Sequence, residues 1–203
     1  MVGRYSGHRL YGVAALFFAV VMLAVARPVV AGGPGGVPLK DADNRLVDPF
    51  SVPASVKAIV FLFTSVDCPI SNRYAPVVVH LNDTFKPQGV QFWLVYPNPF
   101  ETPAAIHQHM KAFGYSSGAL LDPEHALVRL AQATITPEAA VFDRNGRERY
   151  HGRLDDRFVT LGLERPAPTR YDLEDAISAV LAGKPVAQPT TQAVGCFISD
   201  FVK

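Results

Sequence analysis

The sequence lacks an excess of charge of either sign. Its 19 Lys and Arg stand against 18 Asp and Glu, a formal net charge of +1. No basic patch stands out, which argues against a nucleic-acid partner. It also lacks a membrane-length apolar run. VAALFFAVVMLAVA, residues 13–26, has 14 residues, and a helical span needs about 20. Cysteine is scarce, with only Cys68 and Cys196 in 203 residues. No internal repeat and no second domain can be read. None of His80, His107, His109, His125 and His151 falls into an obvious metal-binding motif.

What is present begins with an export signal. Arg4, His8 and Arg9 precede the apolar run, and Arg27–Pro28 and VVA–GG follow it. Val29 and Ala31 suit the small-residue positions of a cleavage site, which predicts a signal peptide over residues 1–31. An uncleaved membrane anchor is the alternative. Cleavage removes three arginines and no acid, leaving a mature chain with 16 basic and 18 acidic groups. The product is expected to be periplasmic or extracellular, with no stable membrane span. Both cysteines survive the cut, and outside the cytoplasm two thiols can form a lasting disulfide.

The composition of the whole chain, 49% hydrophobic and 18% charged, suits one globular core. Seventeen prolines cluster outside the apolar runs, which points to shaped loops. GGPGG reads as a flexible lead-in over 32–36, and PLKDADNRLVDPF as a hairpin turning at Asp43–Asn44. VKAIVFLFTS, residues 56–65, is nearly all apolar, as a strand buried on both faces should be. A helix is expected from Pro69 to about Phe85, with Tyr74, Val77, Val78 and Leu81 as its apolar stripe. VQFWLVYPN is a second buried strand. Thr102–Pro103 caps a helix that ends near Gly114. A short strand (ALLD), a short helix (HALVRLAQA) and a hairpin turning at Asp143–Gly146 follow. DLEDAISAVLAG closes the domain as a helix stopped by Gly183. This alternation predicts an α/β fold, a mixed sheet covered on both faces. Residues 156–170 are long for a plain connector. The tail, 185–203, carries Cys196 and shows no period.

Cys68 stands where the first central strand turns into a helix. Pro69 at the first helical position makes Cys68 the N-cap. The free N–H groups of that first turn favour the thiolate, the reactive form. Ser71 can donate to the same sulfur, whereas Asp67 opposes a second negative charge. Arg73 can offset Asp67 if its side chain points that way. A structural or merely buried cysteine is the competing reading.

LKDADNRLVDPF, FLFTSVDCPIS and ITPEAAVFDRNGRERYHGRLDD together resemble the thioredoxin-like superfamily. More narrowly, they resemble the redoxin group, which holds the alkyl hydroperoxide reductase/thiol-specific antioxidant family and exported thiol–disulfide oxidoreductases. The resemblance covers roughly residues 37–184. It implies a thioredoxin-like fold with an N-terminal β-hairpin. It also implies that Cys68 is the nucleophile and that Ser71 replaces the second cysteine of the dithiol motif. Thr136–Pro137 matches the residue plus cis-proline that faces the active cysteine. Peroxide-reducing relatives carry PxxxTxxC, and here Ser65 fills the hydroxyl position while Phe61 replaces the proline.

The expected function is therefore an exported thiol oxidoreductase acting on thiols, disulfides or peroxide. An external thiol supplies electrons, Cys196 is the possible resolving partner, and neither cofactor nor metal is required. A CxxS thiol forms a mixed disulfide that it cannot release locally. Two alternatives stand. One is a copper carrier on the same fold, using Cys68 with His151 or Cys196. The other is a non-catalytic domain stapled by a Cys68–Cys196 disulfide. His107 and His109 are expected on the solvent face of their helix. Asp155, Asp156 and Arg170 either shape a site around the long loop or are surface turn residues, and none is expected to be catalytic.

Overall fold

The computed structural model describes residues 1–3 and 36–199. The apolar run and the expected cleavage site after Ala31 lie outside the described residues.

Strands β1 (Leu39–Asp41) and β2 (Leu46–Val47) form the first hairpin. β3 (Ala58–Phe63) leads into helix α1 (Pro69–Phe85). A single turn of tighter helix, Lys86–Gln88, passes the chain to β4 (Val90–Tyr96). Then come α2 (Pro103–Phe113), β5 (Gly118–Leu121), α3 (Ala126–Leu130) and the short β6 (Ile135–Thr136). β7 (Glu138–Asp143) and β8 (Glu148–Gly152) make the second hairpin. β9 (Phe158–Thr160) and β10 (Leu163–Glu164) precede α4 (Asp172–Leu181), and β11 (Cys196–Phe197) lies in the tail.

Seven strands form one mixed sheet in the order β2-β1-β5-β4-β3-β7-β8. β3, β4 and β5 are parallel, and β7 runs antiparallel to β3. The near-continuous apolar strands are explained by the two cores. Ala58, Val60 and Leu62 of β3 face one side, with Tyr74, Val78 and Leu81 of α1, Ile106 of α2 and Leu173 and Ile177 of α4. Ile59, Phe61 and Phe63 face the other, with Leu127 and Val128 of α3 and Phe142 of β7. Period-two alternation thus feeds two cores from one strand. Phe50, Phe61 and Phe142 meet edge to face, their ring centroids 5.3–5.6 Å apart.

Helix α1 starts where the Pro69 signal places it. It continues through Pro76, whose missing N–H removes one bond to the preceding turn. β3 is shorter than the apolar run, with Val56–Lys57 and Thr64–Ser65 flanking it.

Three expectations are corrected. Residues 156–170, expected as one long loop, contain a strand pair, β9 with β10. Asp155 and Asp156 are buried rather than at the surface. Asp156 accepts from Thr169 N and Oγ1 (both 2.6 Å) and from Arg170 N (3.0 Å), pinning the segment's far end to its start. These bonds, first that from the Thr169 hydroxyl, hold the Asp156 carboxyl well below the usual range. The tail is not structureless either, because β11 pairs antiparallel with β6.

Candidate functional site

Cys68 caps α1 with extended backbone (φ −80°, ψ 109°), and its Sγ accepts from Ser71 N at 3.5 Å. The local sequence explains this placement. β3 delivers the chain at the sheet's end, Pro69 fixes the first helical φ, and the first-turn amide of Ser71 reaches the sulfur. Only 2% of Cys68 is exposed.

Thr136 and Pro137 come to the same point. The Thr136–Pro137 bond is cis, as the resemblance implies. The Thr136 carbonyl lies 3.0 Å from Cys68 Sγ and accepts its S–H when the thiol is neutral. Glu138, the next residue, is buried and steadies this loop by accepting from Thr134 N (2.8 Å) and Ile135 N (3.2 Å).

Cys196 completes the group. It stands opposite Thr136 in the β6–β11 pair, and its carbonyl accepts from Thr136 Oγ1 at 3.5 Å. The sulfurs of Cys68 and Cys196 are 2.9 Å apart, and both thiols are free. Cys68, Ser71, Thr136 and Cys196 therefore gather at one point, with Pro137 following Thr136 across the cis bond. A cavity of about 200 Å3 opens on Cys68, Thr136 and Cys196, lined also by Ser65, Asp67, Pro97 and Asn98. Phe197, 78% exposed, stands at its rim.

The two thiols differ electrostatically. Burial pushes the Cys68 thiol up, but the Cys196 S–H and the hydroxyl and amide of Ser71 outweigh it, so its pKa is lowered. The Ser71 hydroxyl is buried with no hydrogen-bond partner of its own, so its proton is available to a thiolate. For Cys196, burial and the adjacent Cys68 sulfur push the thiol up to about 11. The pair therefore loses its first proton from Cys68, and Cys196 keeps its own. Arg73 takes no part, because it is bonded to Glu164 at 2.6 Å and lies over the Phe158 ring.

Two supports escaped sequence reasoning. Glu101 is buried under the strand-to-helix turn, where its Oε1 accepts from Ser65 Oγ (2.7 Å) and Val66 N (2.8 Å). Burial raises its pKa. Its other oxygen is buried without a partner. His109 is buried rather than solvent-facing, whereas His107 is half exposed and reaches the Ala42 carbonyl at 3.0 Å. The His109 ring joins Tyr96 Oη through Nδ1 and Asn72 Oδ1 through Nε2, both at 2.8 Å. Asn72 Nδ2 donates to the Val66 carbonyl at 3.1 Å, so Oδ1 is its acceptor and His109 carries its proton on Nε2. The chain Tyr96–His109–Asn72 thus ties α2 and β4 to the turn before Cys68. Nothing in the spacing of residues 72, 101 and 109 signals their meeting.

His151 does not join the sulfurs. It sits on β8 with Nδ1 bonded to Glu148 at 2.5 Å. Among the described residues no three His, Cys, Asp or Glu side chains gather as a metal site. Also among them, no helix is long and apolar enough to cross a membrane.

The fold is thioredoxin-like, as its resemblance to solved structures shows. An uncharacterized conserved protein from Geobacillus kaustophilus matches with a TM-score of 0.69 at 25% identity, over 81% of this chain and 88% of that one. A hypothetical protein from Sinorhizobium meliloti matches with a TM-score of 0.69 at 27% identity, over 82% and 92%. A secreted Mycobacterium tuberculosis disulfide oxidoreductase, homologous to Escherichia coli DsbE, shares the fold at 15% identity with a TM-score of 0.50, over 73% and 96%. No protein-family profile and no curated protein matches the chain.

Proposed function

We propose that the chain is an exported thiol–disulfide oxidoreductase in which Cys68 is the nucleophile and Cys196 the resolving thiol. The observation that carries this reading is the 2.9 Å approach of a high-pKa thiol to a low-pKa thiol at a helix N-terminus. In this reading residues 1–31 are the export signal, 32–36 a lead-in, 37–184 the redox domain and 185–203 the resolving tail. The basic start, short apolar run and small-residue cleavage pattern support export. The secreted mycobacterial oxidoreductase of the same fold agrees with it.

The chemistry runs in two exchanges. The Cys68 thiolate attacks one sulfur of a substrate disulfide, and the other substrate sulfur leaves as a thiolate and takes a proton. Cys196, once deprotonated, attacks the Cys68 sulfur of the mixed disulfide. The second substrate thiolate leaves, and a Cys68–Cys196 bond remains. The substrate is reduced by two electrons and the protein oxidised by two. An external dithiol then restores both cysteines.

Disulfide exchange is favoured over peroxide reduction by the fate of Ser65. Its hydroxyl, which fills the peroxidase pattern, donates to Glu101 rather than to the cavity. A purely structural staple is disfavoured because the tail is already held by its pairing with β6. Turnover of a small disulfide with an external dithiol donor tests the reading. Cys68→Ser should abolish turnover. Given the small disulfide alone, without donor, Cys196→Ser should stop at a mixed disulfide on Cys68, whereas the wild type should go on to the Cys68–Cys196 bond. Release of both substrate thiols by Cys196→Ser under those conditions would refute the resolving role.

A further inference from the structure

The tail reaches Cys68 along a defined track. Beyond α4 it runs beside β8, where His151 N donates to the Pro189 carbonyl at 3.0 Å and Thr191 N to the His151 carbonyl at 3.1 Å. Thr190 bridges His151 in parallel. At Thr191 the hydrogen bonds close into a complete set. Tyr150 Oη donates to the Arg153 carbonyl at 2.6 Å, so its oxygen accepts from Thr191 Oγ1, also at 2.6 Å. Arg153 N in turn donates to Thr191 Oγ1 at 3.1 Å. Every polar hydrogen of the set is used, around a Tyr150 that is almost wholly buried.

Two glycines admit this track. A Cβ at Gly152 would lie 2.2 Å from the Thr191 carbonyl oxygen, and Gly152 also holds φ +141°, where side chains are disfavoured. A Cβ at Gly195, next to Cys196, would lie 2.0 Å from the Thr136 carbonyl oxygen. Downstream, Ile198 N donates to the Thr134 carbonyl at 2.9 Å. The resolving cysteine is thus pinned on both sides, with its sulfur 2.9 Å from Cys68 before any bond forms.

We infer that Thr191 and Gly195 are positioning residues, which dock the tail in advance and set the effective concentration of Cys196 at Cys68. The inference rests on the proposed resolving role of Cys196. A latched tail leaves a free segment of only about five residues between Thr191 and Cys196. With the latch open the free segment begins near the end of α4 and is about three times longer. The three-halves power of loop length then lowers the effective concentration by about fivefold.

The test is a redox equilibrium of the whole protein against glutathione. The Cys68 thiolate attacks oxidised glutathione and releases one glutathione thiolate. Cys196 then displaces the second, giving the Cys68–Cys196 disulfide and two reduced glutathiones. The equilibrium constant, in molar units, is the effective concentration. Thr191→Val, which keeps the shape but removes the hydroxyl, is expected to lower it about fivefold and to accumulate the Cys68–glutathione adduct. Thr191→Ser should restore the wild-type value. Gly195→Ala should lower it at least as much as Thr191→Val. Wild-type values for both Thr191→Val and Gly195→Ala would overturn the inference while leaving the resolving role intact. A wild-type protein that forms only glutathione adducts would overturn both.

Discussion

Removing the Ser71 hydroxyl should separate reactivity from stability, and in a definite direction. Ser71 lies one helical turn into α1, with its N–H 3.5 Å from Cys68 Sγ. Its buried hydroxyl has no other partner. A neutral thiol gains little from it, but a thiolate gains a hydrogen bond to a charged acceptor, worth about 1.5–3 kcal/mol. Taking the lower end for a soft sulfur acceptor, Ser71→Ala should cut the ionisation constant of Cys68 by about tenfold. The pH profile of Cys68 alkylation, followed by mass spectrometry so that Cys196 is counted separately, should move to higher pH. Stability should respond differently. The Cys68 pKa is lowered in the folded state, so its contribution is present above the unfolded pKa and is lost as pH falls through the folded one. Ser71→Ala should therefore cost stability only in alkaline solution. In acid, where Cys68 is a thiol in both states, the loss of an unpartnered buried hydroxyl should leave stability unchanged or higher. An alkylation profile that does not move, or a destabilisation equally large in acid, would refute the account of the thiolate.

Other expectations follow from the same geometry. Cys196→Ala removes the S–H donor, so Cys68 alkylation should also move to higher pH. Burial lowers the His109 pKa, so the fold keeps it neutral. As pH falls below about 6.5 the unfolded chain takes up a proton that the folded chain refuses. Urea unfolding should therefore show wild type losing stability between pH 7 and 5 relative to His109→Gln. Phe61→Ala should cost about 3–5 kcal/mol in the same assay, because Phe61 fills the second core. Asp156→Ala strips Thr169, Arg170 and Arg165 of their shared acceptor. Limited proteolysis should then cut within residues 157–169 faster than in wild type.

The sheet was legible because its signals are local. β3 and β4 read as buried strands because both of their faces meet a core, and Pro69, Thr102 and Gly114 mark helix ends by backbone chemistry. Cys68 was legible for the same reason. The tail was not, since β11 has two residues and is held by β6, Gly152 and Gly195 rather than by any period of its own. The hidden carboxylates Glu101, Asp155 and Asp156 were equally opaque. Short polar residues in turns read as surface, and their burial depends on backbone donors brought from as far as 35 residues away. His109 misled for a related cause. Its neighbour His107 is partly exposed, and only Ile106 and His109 of α2 are fully buried, with Met110 and Phe113 partly so.

The most direct test of the central claim is a non-reducing peptide map of the protein after stoichiometric oxidation by a small disulfide. The account predicts one species in which the peptide containing Cys68 is joined to the peptide containing Cys196, and its loss on reduction by a dithiol. A map showing only intermolecular links or adducts of the small disulfide on Cys68, with Cys196 still free, would contradict it.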